Sequence, residues 1–123
     1  MGRAENGVQS AVFNTLLQLG FKNIWRQNNH AVPIIVKKFL SGSWWQVLMG
    51  WRHDARHLKG KADISGILKD GRRLEVEVKA KGGKLSPEQI SFRDRILQSN
   101  GVYIEADSVD ALIDGLKKFN LLR

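Results

Sequence analysis

The chain has 123 residues, enough for one domain and too few for two independent hydrophobic cores. Twenty Lys and Arg against 12 Asp and Glu leave a formal charge of +8, while a hydrophobic content of 42% permits a packed core. Because there is no cysteine, disulfide frameworks, thiol catalysis and cysteine-bound zinc are excluded. We therefore expect one basic globular domain over residues 1–123, with nucleic acid as the first candidate for its anionic partner.

The sequence predicts no membrane association. No apolar run approaches the roughly 18 residues that a membrane span requires, and the first residues lack the apolar region of a secretory signal. The positive charge also suits an anionic membrane surface. However, no helix predicted from the sequence shows the wide Lys-flanked apolar face that such binding needs. We expect a cytoplasmic protein of a bacterial or phage-infected cell.

The first predicted elements are a helix and a short strand. From Arg3 to Gly20, apolar or small residues recur at the three- and four-residue spacing of an amphipathic helix, and Gly20 ends it. Residues 21–26 predict a strand, and the polar residues 27–30 predict a turn.

A β-hairpin and a basic loop follow. Val32–Leu40 and Trp44–Trp51 are rich in strand-forming residues, and Ser41-Gly42-Ser43 between them predicts the hairpin turn. Pro33 suits a strand start or an edge strand. Residues 52–61 are basic and lack apolar periodicity, which predicts a loop that faces the anionic partner.

A second hairpin is predicted around Lys69-Asp70-Gly71, where apolar and polar residues alternate on both sides. A two-residue loop would pair Ile64 with Glu77 and mix apolar with charged residues on each face. A three-residue loop with Gly71 in the left-handed conformation collects the Ile, Leu and Val side chains on one face. Since a slip of one residue moves every side chain to the opposite face, burial of the apolar set selects this register. The polar face then carries Asp63, Glu75, Glu77 and Lys79.

A capped helix comes next. Ser86 suits the N-cap, Pro87 the first helical position, and Gln89 completes a capping box. Asn100-Gly101 ends this helix. Residues 102–106 then predict a strand, and Asp107 or Ser108 caps a last helix through residue 119.

The polar face of the second hairpin is the candidate for chemistry. Asp63 and Glu77 offer the carboxylate oxygens that Mg²⁺ prefers together with water, Mn²⁺ is an alternative ion, and the peptide carbonyl of Val78 is a candidate further ligand. Such an ion lowers the pKa of a bound water and neutralises charge that develops on a phosphate. Lys79 is then placed to act on the attacking water or on the transition state. Glu75 we expect to pair with Arg73 or Lys79 rather than with a metal.

Three stretches carry a resemblance to a known family. The run Gly60-Lys61-Ala62-Asp63-Ile64-Ser65-Gly66, then Leu74–Lys79 and Leu85–Gln89, resembles the VRR-NUC (virus-type replication-repair nuclease) branch of the PD-(D/E)xK nuclease superfamily. The resemblance covers about residues 60–106. Glu5, and Arg26 with Asn28, are weaker matches to the N-terminal acidic residue and the Arg-x-Asn element of that family. Ala62 stands where the name of the superfamily has Pro, and residues 31–59 align with nothing in it.

The resemblance implies a restriction-endonuclease-like fold, α/β with a mixed sheet flanked by helices, and a metal-dependent nuclease. It implies Asp63 and Glu77 as metal ligands, Lys79 as the catalytic lysine, Gln89 near the site and Glu5 as a further ligand. Gln89 is equally explained by the capping box, and Glu5 by the helix macrodipole. Small stand-alone members are implied to be homodimers that cut branched DNA such as Holliday junctions, and members embedded in larger proteins to be structure-specific nucleases.

Basic and aromatic residues complete the expected site. We expect a set of Lys, Arg and Asn residues to bind nucleic acid: Arg26, Asn28, Arg52, Arg56, Lys59, Lys61, Lys81 and Lys84. Trp44, Trp45 and Trp51 suit a subunit interface, with base stacking and core packing as alternatives.

The sequence thus predicts a Mg²⁺-dependent endonuclease for structured or branched DNA, acting as a homodimer with no organic cofactor. The alternative is a non-catalytic basic DNA-binding or architectural module whose carboxylates serve only structure.

Overall fold

The computed structural model describes residues 3–27, 32–52 and 60–123, with side chains from residue 6 onwards except at 32–34 and 50–52. The chain forms two compact units, one of Met1–Gln27 with Lys59–Arg123 and one of Asn28–Leu58. The described elements, in chain order, are α1 (Arg3–Gln18), β1 (Ile24–Arg26), β2 (Val32–Leu40), β3 (Ser43–Arg52), β4 (Ile64–Ile67), β5 (Arg73–Val78), α2 (Pro87–Gln98), β6 (Val102–Ala106) and α3 (Val109–Lys118). This is the predicted order of helices, strands and hairpins.

The larger unit contains a four-stranded mixed sheet in the order β1-β4-β5-β6. β4 is antiparallel to β1 and β5, whereas β6 is parallel to β5. Buried side chains of α1 and α3 pack on one face of the sheet, around Val76 and Ile104. Phe92 of α2 packs with Tyr103 in a separate apolar cluster. The expected α/β class, a mixed sheet flanked by helices, is confirmed.

The register of the β4–β5 hairpin is the predicted one. Ile64 pairs with Val76 and Gly66 with Leu74, around a three-residue loop closed by a 2.9 Å bond from the Leu68 N–H to the Arg72 carbonyl. Gly71 has a φ of 89°, the left-handed conformation that this loop requires. The apolar face is buried, as expected, and the polar face is buried as well.

The helix ends also follow the sequence signals. α1 ends before Gly20, which has a φ of 98°. α2 begins with the complete capping box of Ser86 and Gln89, and α3 is capped by Ser108, one of the two candidates. Local side-chain chemistry therefore fixes where α2 and α3 start.

The smaller unit is the antiparallel pair β2–β3. Its turn is shorter than expected, because Ser41 and Gly42 both have positive φ values and Ser43 already belongs to β3. β3 extends to Arg52, whereas the sequence predicts that the basic loop begins at this residue. Residues 53–59 of that loop lie outside the described residues.

Among the helices that the structure describes, none has the length and apolar character needed to cross a membrane.

Candidate active site

The structure brings Asp63 and Glu77 together across the β4–β5 ladder. Asp63 immediately precedes β4, and the pairing of Ile64 with Val76 places it opposite Glu77 on the polar face. Both carboxylates are buried, with 7% of Asp63 and 3% of Glu77 exposed. Two carboxylates in so little contact with water need a proton or a cation to offset their repulsion.

Glu77 has one satisfied and one unsatisfied carboxylate oxygen. Its Oε1 accepts a hydrogen bond of 2.9 Å from Gln89 Nε2 and lies 3.7 Å from Lys79 Nζ. Its Oε2 is buried without a hydrogen-bond partner. Burial, together with the nearby charge of Asp63, raises the pKa of Glu77 to about 8. The environment therefore disfavours the bare carboxylate and leaves a lone pair available to a positive ligand.

The backbone of Val78 faces the same carboxylates. Its N–H donates a 2.9 Å hydrogen bond to Asp63 Oδ2, while the next N–H, that of Lys79, bonds to the Ala106 carbonyl in β6. Because the N–H and C=O of one strand residue point to the same side, we infer that the Val78 carbonyl is directed away from β6.

These donors fit a hard divalent cation. Asp63, Glu77 and the Val78 carbonyl are all oxygen ligands, and Mg²⁺ is commonly held by one or two carboxylates while it keeps several waters. Within the described residues, no group of three or more His, Asp or Glu side chains is suitably placed to bind a metal. The Asp63–Glu77 pair offers two carboxylates, and Glu77 Oε2 is buried without a hydrogen-bond partner.

Gln89 makes both of the contacts that the sequence left as alternatives. Its backbone N–H donates to Ser86 Oγ and its Oε1 accepts from the Ser86 N–H, which closes the capping box. Its Nε2 donates to Glu77. One side chain therefore joins the start of α2 to the carboxylate pair.

Gly60 allows α2 to approach the site closely. It has a φ of 80°, and a Cβ at this position would overlap with the backbone of Glu88, the residue before Gln89. A side chain at residue 60 would therefore displace the first turn of α2.

A second polar group lies further along the same face, around Glu75. Glu75 is fully buried and accepts 2.6 Å hydrogen bonds from Ser65 Oγ and Arg73 Nε. Gln27 donates to Ser65 Oγ at 2.7 Å and accepts from Lys61 Nζ at 3.2 Å. Burial raises the pKa of Glu75, and the bonds from Ser65 and Arg73 oppose that shift. The expected pairing of Glu75 with Arg73 is confirmed. Ser65 lies two residues after Asp63, so the alternation of side chains along a strand predicts that both lie on the polar face.

Tyr103 is a further residue that the sequence did not single out. It pairs with Glu75 in the parallel β5–β6 ladder and is therefore on the polar face. Its ring packs edge-on against Phe92 of α2, with 6.4 Å between the centroids. Its hydroxyl is buried without a hydrogen-bond partner. Only the order of strands in the sheet brings this side chain beside the hairpin.

The residues expected to bind nucleic acid divide into three groups. Lys81 and Lys84 are exposed in the link between β5 and α2. Arg26 is exposed but lies 5.0 Å from the Phe13 ring centroid and 3.3 Å from Ser10 Oγ, and Lys61 contacts Gln27. Asn28, Arg56 and Lys59 lie outside the described residues, as does the side chain of Arg52, whose backbone belongs to β3. The side chain of Glu5, the further metal ligand that the resemblance implies, also lies outside the described residues, and its backbone belongs to α1.

Comparison with known proteins adds no assignment: no protein-family model matches the chain, and no curated protein is significantly similar to it. The chemistry available to the site follows from its groups. Two facing carboxylates, a backbone carbonyl, an ammonium and an amide donor lie close together at the end of the β4–β5 hairpin. This combination can hold a divalent cation beside an anionic substrate and move a proton to or from water.

Proposed function

We propose that this protein is a Mg²⁺-dependent endonuclease that hydrolyses phosphodiester bonds in structured or branched DNA, similar in activity to Holliday junction resolvases. The observation that supports it most is the buried Asp63–Glu77 pair, with Glu77 Oε2 unpartnered and Lys79 Nζ 3.7 Å from Glu77 Oε1. The order of these residues along the hairpin is also that of the VRR-NUC motif. Mn²⁺ is the natural substitute ion.

Each group at the site has a separate task in this proposal. Asp63, Glu77 and the Val78 carbonyl hold the cation, which neutralises charge on the phosphate and lowers the pKa of a bound water. Gln89 fixes the orientation of the Glu77 carboxylate through Oε1. Lys79 positions the attacking water and stabilises the negative charge that develops on the phosphate.

DNA as the substrate is supported by charge. The chain carries a formal charge of +8, and Lys81 and Lys84 are exposed beside the C-terminal end of β5, where Lys79 lies. Lysine side chains around an acidic centre attract the phosphate backbone of DNA, while the carboxylates at the centre bind the metal ion. We place the protein in the cytoplasm, where such DNA is available.

We further propose a homodimer assembled through the β2–β3 hairpin. An isolated two-stranded hairpin is at best marginally stable, yet this one exposes large apolar side chains on both faces. Trp44 is 71% exposed and its ring lies 5.4 Å from that of Phe39. The other exposed apolar residues are Ile35, Val36, Leu40, Trp45, Leu48 and Met49. A second copy would cover this surface and supply the second active site that a four-way junction calls for.

A non-catalytic DNA-binding module is the second candidate, and the charge of +8 with the exposed aromatic side chains favours it. In that case the carboxylates would serve structure, and binding would be sensitive to salt without any cleavage that depends on Mg²⁺.

One experiment separates the two candidates. The purified full chain is incubated with duplex, nicked, flap and four-way DNA in Mg²⁺, Mn²⁺ or EDTA. Nuclease function requires cleavage in the presence of metal that Asp63→Asn and Lys79→Ala abolish. Asp114→Asn and Lys117→Ala, which remove the same charges from the exposed surface of α3, are the matched controls. Salt-sensitive binding to every substrate with no cleavage in either metal would instead establish the binding module.

A further inference from the structure

Within the described part of the chain, two buried side-chain atoms have no hydrogen-bond partner: Glu77 Oε2 and the Tyr103 hydroxyl oxygen. Buried polar atoms are nearly always hydrogen-bonded in native proteins, so each exception calls for an explanation. The cation site accounts for Glu77 Oε2. Nothing in the proposed mechanism accounts for Tyr103.

The two atoms belong to neighbouring positions on one face of the sheet. Tyr103 is paired with Glu75, and Glu77 is the next residue along β5 on that face, so Tyr103 and Glu77 are diagonal neighbours. Positions on such a diagonal are close enough for aromatic and long side chains to interact, although these two atoms are not hydrogen-bonded to each other. Burial raises the pKa of the Tyr103 hydroxyl, and the negative charge of Glu77 is the next largest cause. The two side chains therefore influence each other electrostatically.

Packing holds the Tyr103 ring in place. The side chain is only 6% exposed and belongs to an apolar cluster with Ala62 and Phe92. Ala62 directly precedes Asp63, and Phe92 lies one helical turn after Gln89 in α2. The two residues that pack against Tyr103 therefore belong to the same segments as Asp63 and Gln89. A phenol confined in this way stays protonated at neutral pH and acts as a hydrogen-bond donor among acceptors.

We propose that Tyr103 is a positioning residue of the metal site, whose hydroxyl donates a hydrogen bond to a water shared with Glu77 Oε2 and so orients Glu77 toward the cation. The inference rests on the proposed function and adds to it a residue outside the family motif. One such water gives the Tyr103 hydroxyl its missing acceptor. Glu77 Oε2 has two lone pairs, so it can accept from this water and still face the cation. Groups in this position around a metal commonly change its affinity by about 10–100-fold.

The first test uses Tyr103→Phe, which keeps the ring and its packing and removes only the oxygen. Mn²⁺ affinity of the full chain, measured by electron paramagnetic resonance, should fall by about 10–100-fold in this variant. In EDTA the variant should stay folded and unfold close to the wild-type temperature, because the ring and its packing against Phe92 are kept. Thr15→Val, which removes a hydroxyl on α1, should leave Mn²⁺ affinity unchanged.

The second test uses the fact that Tyr103 is the only tyrosine in the chain. Labelling tyrosine with ¹³C at Cζ therefore gives one NMR signal, which should shift as Mg²⁺ is added and saturate at the affinity of the site. Asp63→Asn should abolish that shift. This signal reports whether the cation binds near the Tyr103 hydroxyl, and the Mn²⁺ affinity of Tyr103→Phe separates a positioning role from mere proximity.

The outcomes distinguish this inference from the proposed function. If the wild type binds Mg²⁺ and cleaves DNA, but Tyr103→Phe binds Mn²⁺ equally well and the tyrosine signal does not respond, the role of Tyr103 is wrong and the nuclease stands. If the wild type neither binds a divalent cation nor cleaves, both are wrong.

Discussion

The Asp63 carboxylate accepts a 2.9 Å hydrogen bond from the backbone N–H of Val78. If the β4–β5 ladder continued by one more hydrogen-bonded pair, Val78 would pair with Ala62, and the Val78 N–H would donate to the Ala62 carbonyl. The side chain of Asp63 thus takes the place of a backbone acceptor where β4 begins. The carboxylate is fixed by the sheet itself, and it is fixed opposite Glu77.

Replacing Asp63 by Asn should remove metal-dependent cleavage and leave DNA binding intact. The amide keeps the shape of the side chain and an oxygen acceptor for the Val78 N–H, but loses the negative charge that the proposed cation requires. We expect kcat to fall by about 10²–10³-fold, as for other groups that stabilise developing charge. Cleavage assays and gel-shift titrations of the same preparation check this, and equal loss of both properties would point to misfolding.

The stability of the metal-free protein should decrease as the pH rises from about 4.5 to about 8. Burial raises the pKa of Glu77 to about 8, against 4.5 for an ordinary Glu. The folded state therefore binds more protons than the unfolded state in this range, and the free energy of unfolding falls with rising pH. Glu75, whose pKa burial also raises, acts in the same direction.

Urea unfolding in EDTA across this pH range measures the effect. Glu77→Gln should flatten the profile and should be more stable than the wild type at pH 8, although we expect it to be inactive. Mg²⁺ should restore the stability of the wild type at pH 8 and have no such effect on Glu77→Gln. A wild-type stability that rises with pH in EDTA would contradict the assignment of a destabilised carboxylate pair.

The two contacts of Gln89 can be separated by comparing it with Ser86. Ser86→Ala removes the cap of α2 and leaves the bond between Gln89 and Glu77, so it should cost about 1 kcal/mol of stability without changing kcat. Gln89→Leu removes both contacts and should lower stability by a similar amount and kcat as well. Thermal unfolding and cleavage kinetics of both variants measure these effects. If kcat is the same for Ser86→Ala and Gln89→Leu, Gln89 acts only as a capping residue.

Gly60→Ala should be strongly destabilising, because its Cβ would overlap with the Glu88 backbone and Gly60 has a positive φ. We expect a loss of roughly 1–3 kcal/mol from the backbone strain, with more from the displaced helix. Gly71→Ala is the matched control, because its φ is also positive but nothing lies within 4 Å of a Cβ there. Denaturant unfolding of the two variants should rank Gly60→Ala below Gly71→Ala.

The dimer proposal predicts that the hairpin sets the oligomeric state. Phe39→Ser with Trp44→Ser removes the exposed aromatic pair and should yield a particle of 13.9 kDa by light scattering. Ile67→Ser, which removes a 47% exposed apolar residue of the larger unit, should leave the dimer intact. A wild-type mass of 13.9 kDa at micromolar concentration would overturn the dimer proposal, without bearing on the metal site.

The sequence by itself determined those features that depend on neighbours along the chain. The cap of α2, the left-handed Gly71 and the hairpin register follow from local rules, since a period of two and one buried face leave a single acceptable pairing. The register in turn placed Asp63, Glu75 and Glu77 on one face. Ser65 obeyed the same alternation and could have been included.

The tertiary structure decided what surrounds those carboxylates. Only the packing of α2 near the polar face gives Glu77 its contact with Gln89, and only the parallel pairing of β6 with β5 puts Tyr103 beside it. The bonds from Gln27 and Lys61 likewise join residues more than 30 positions apart. Burial is a property of everything packed around an atom, so the raised pKa of Glu77 and its unsatisfied oxygen exist only once the distant elements have closed over the hairpin.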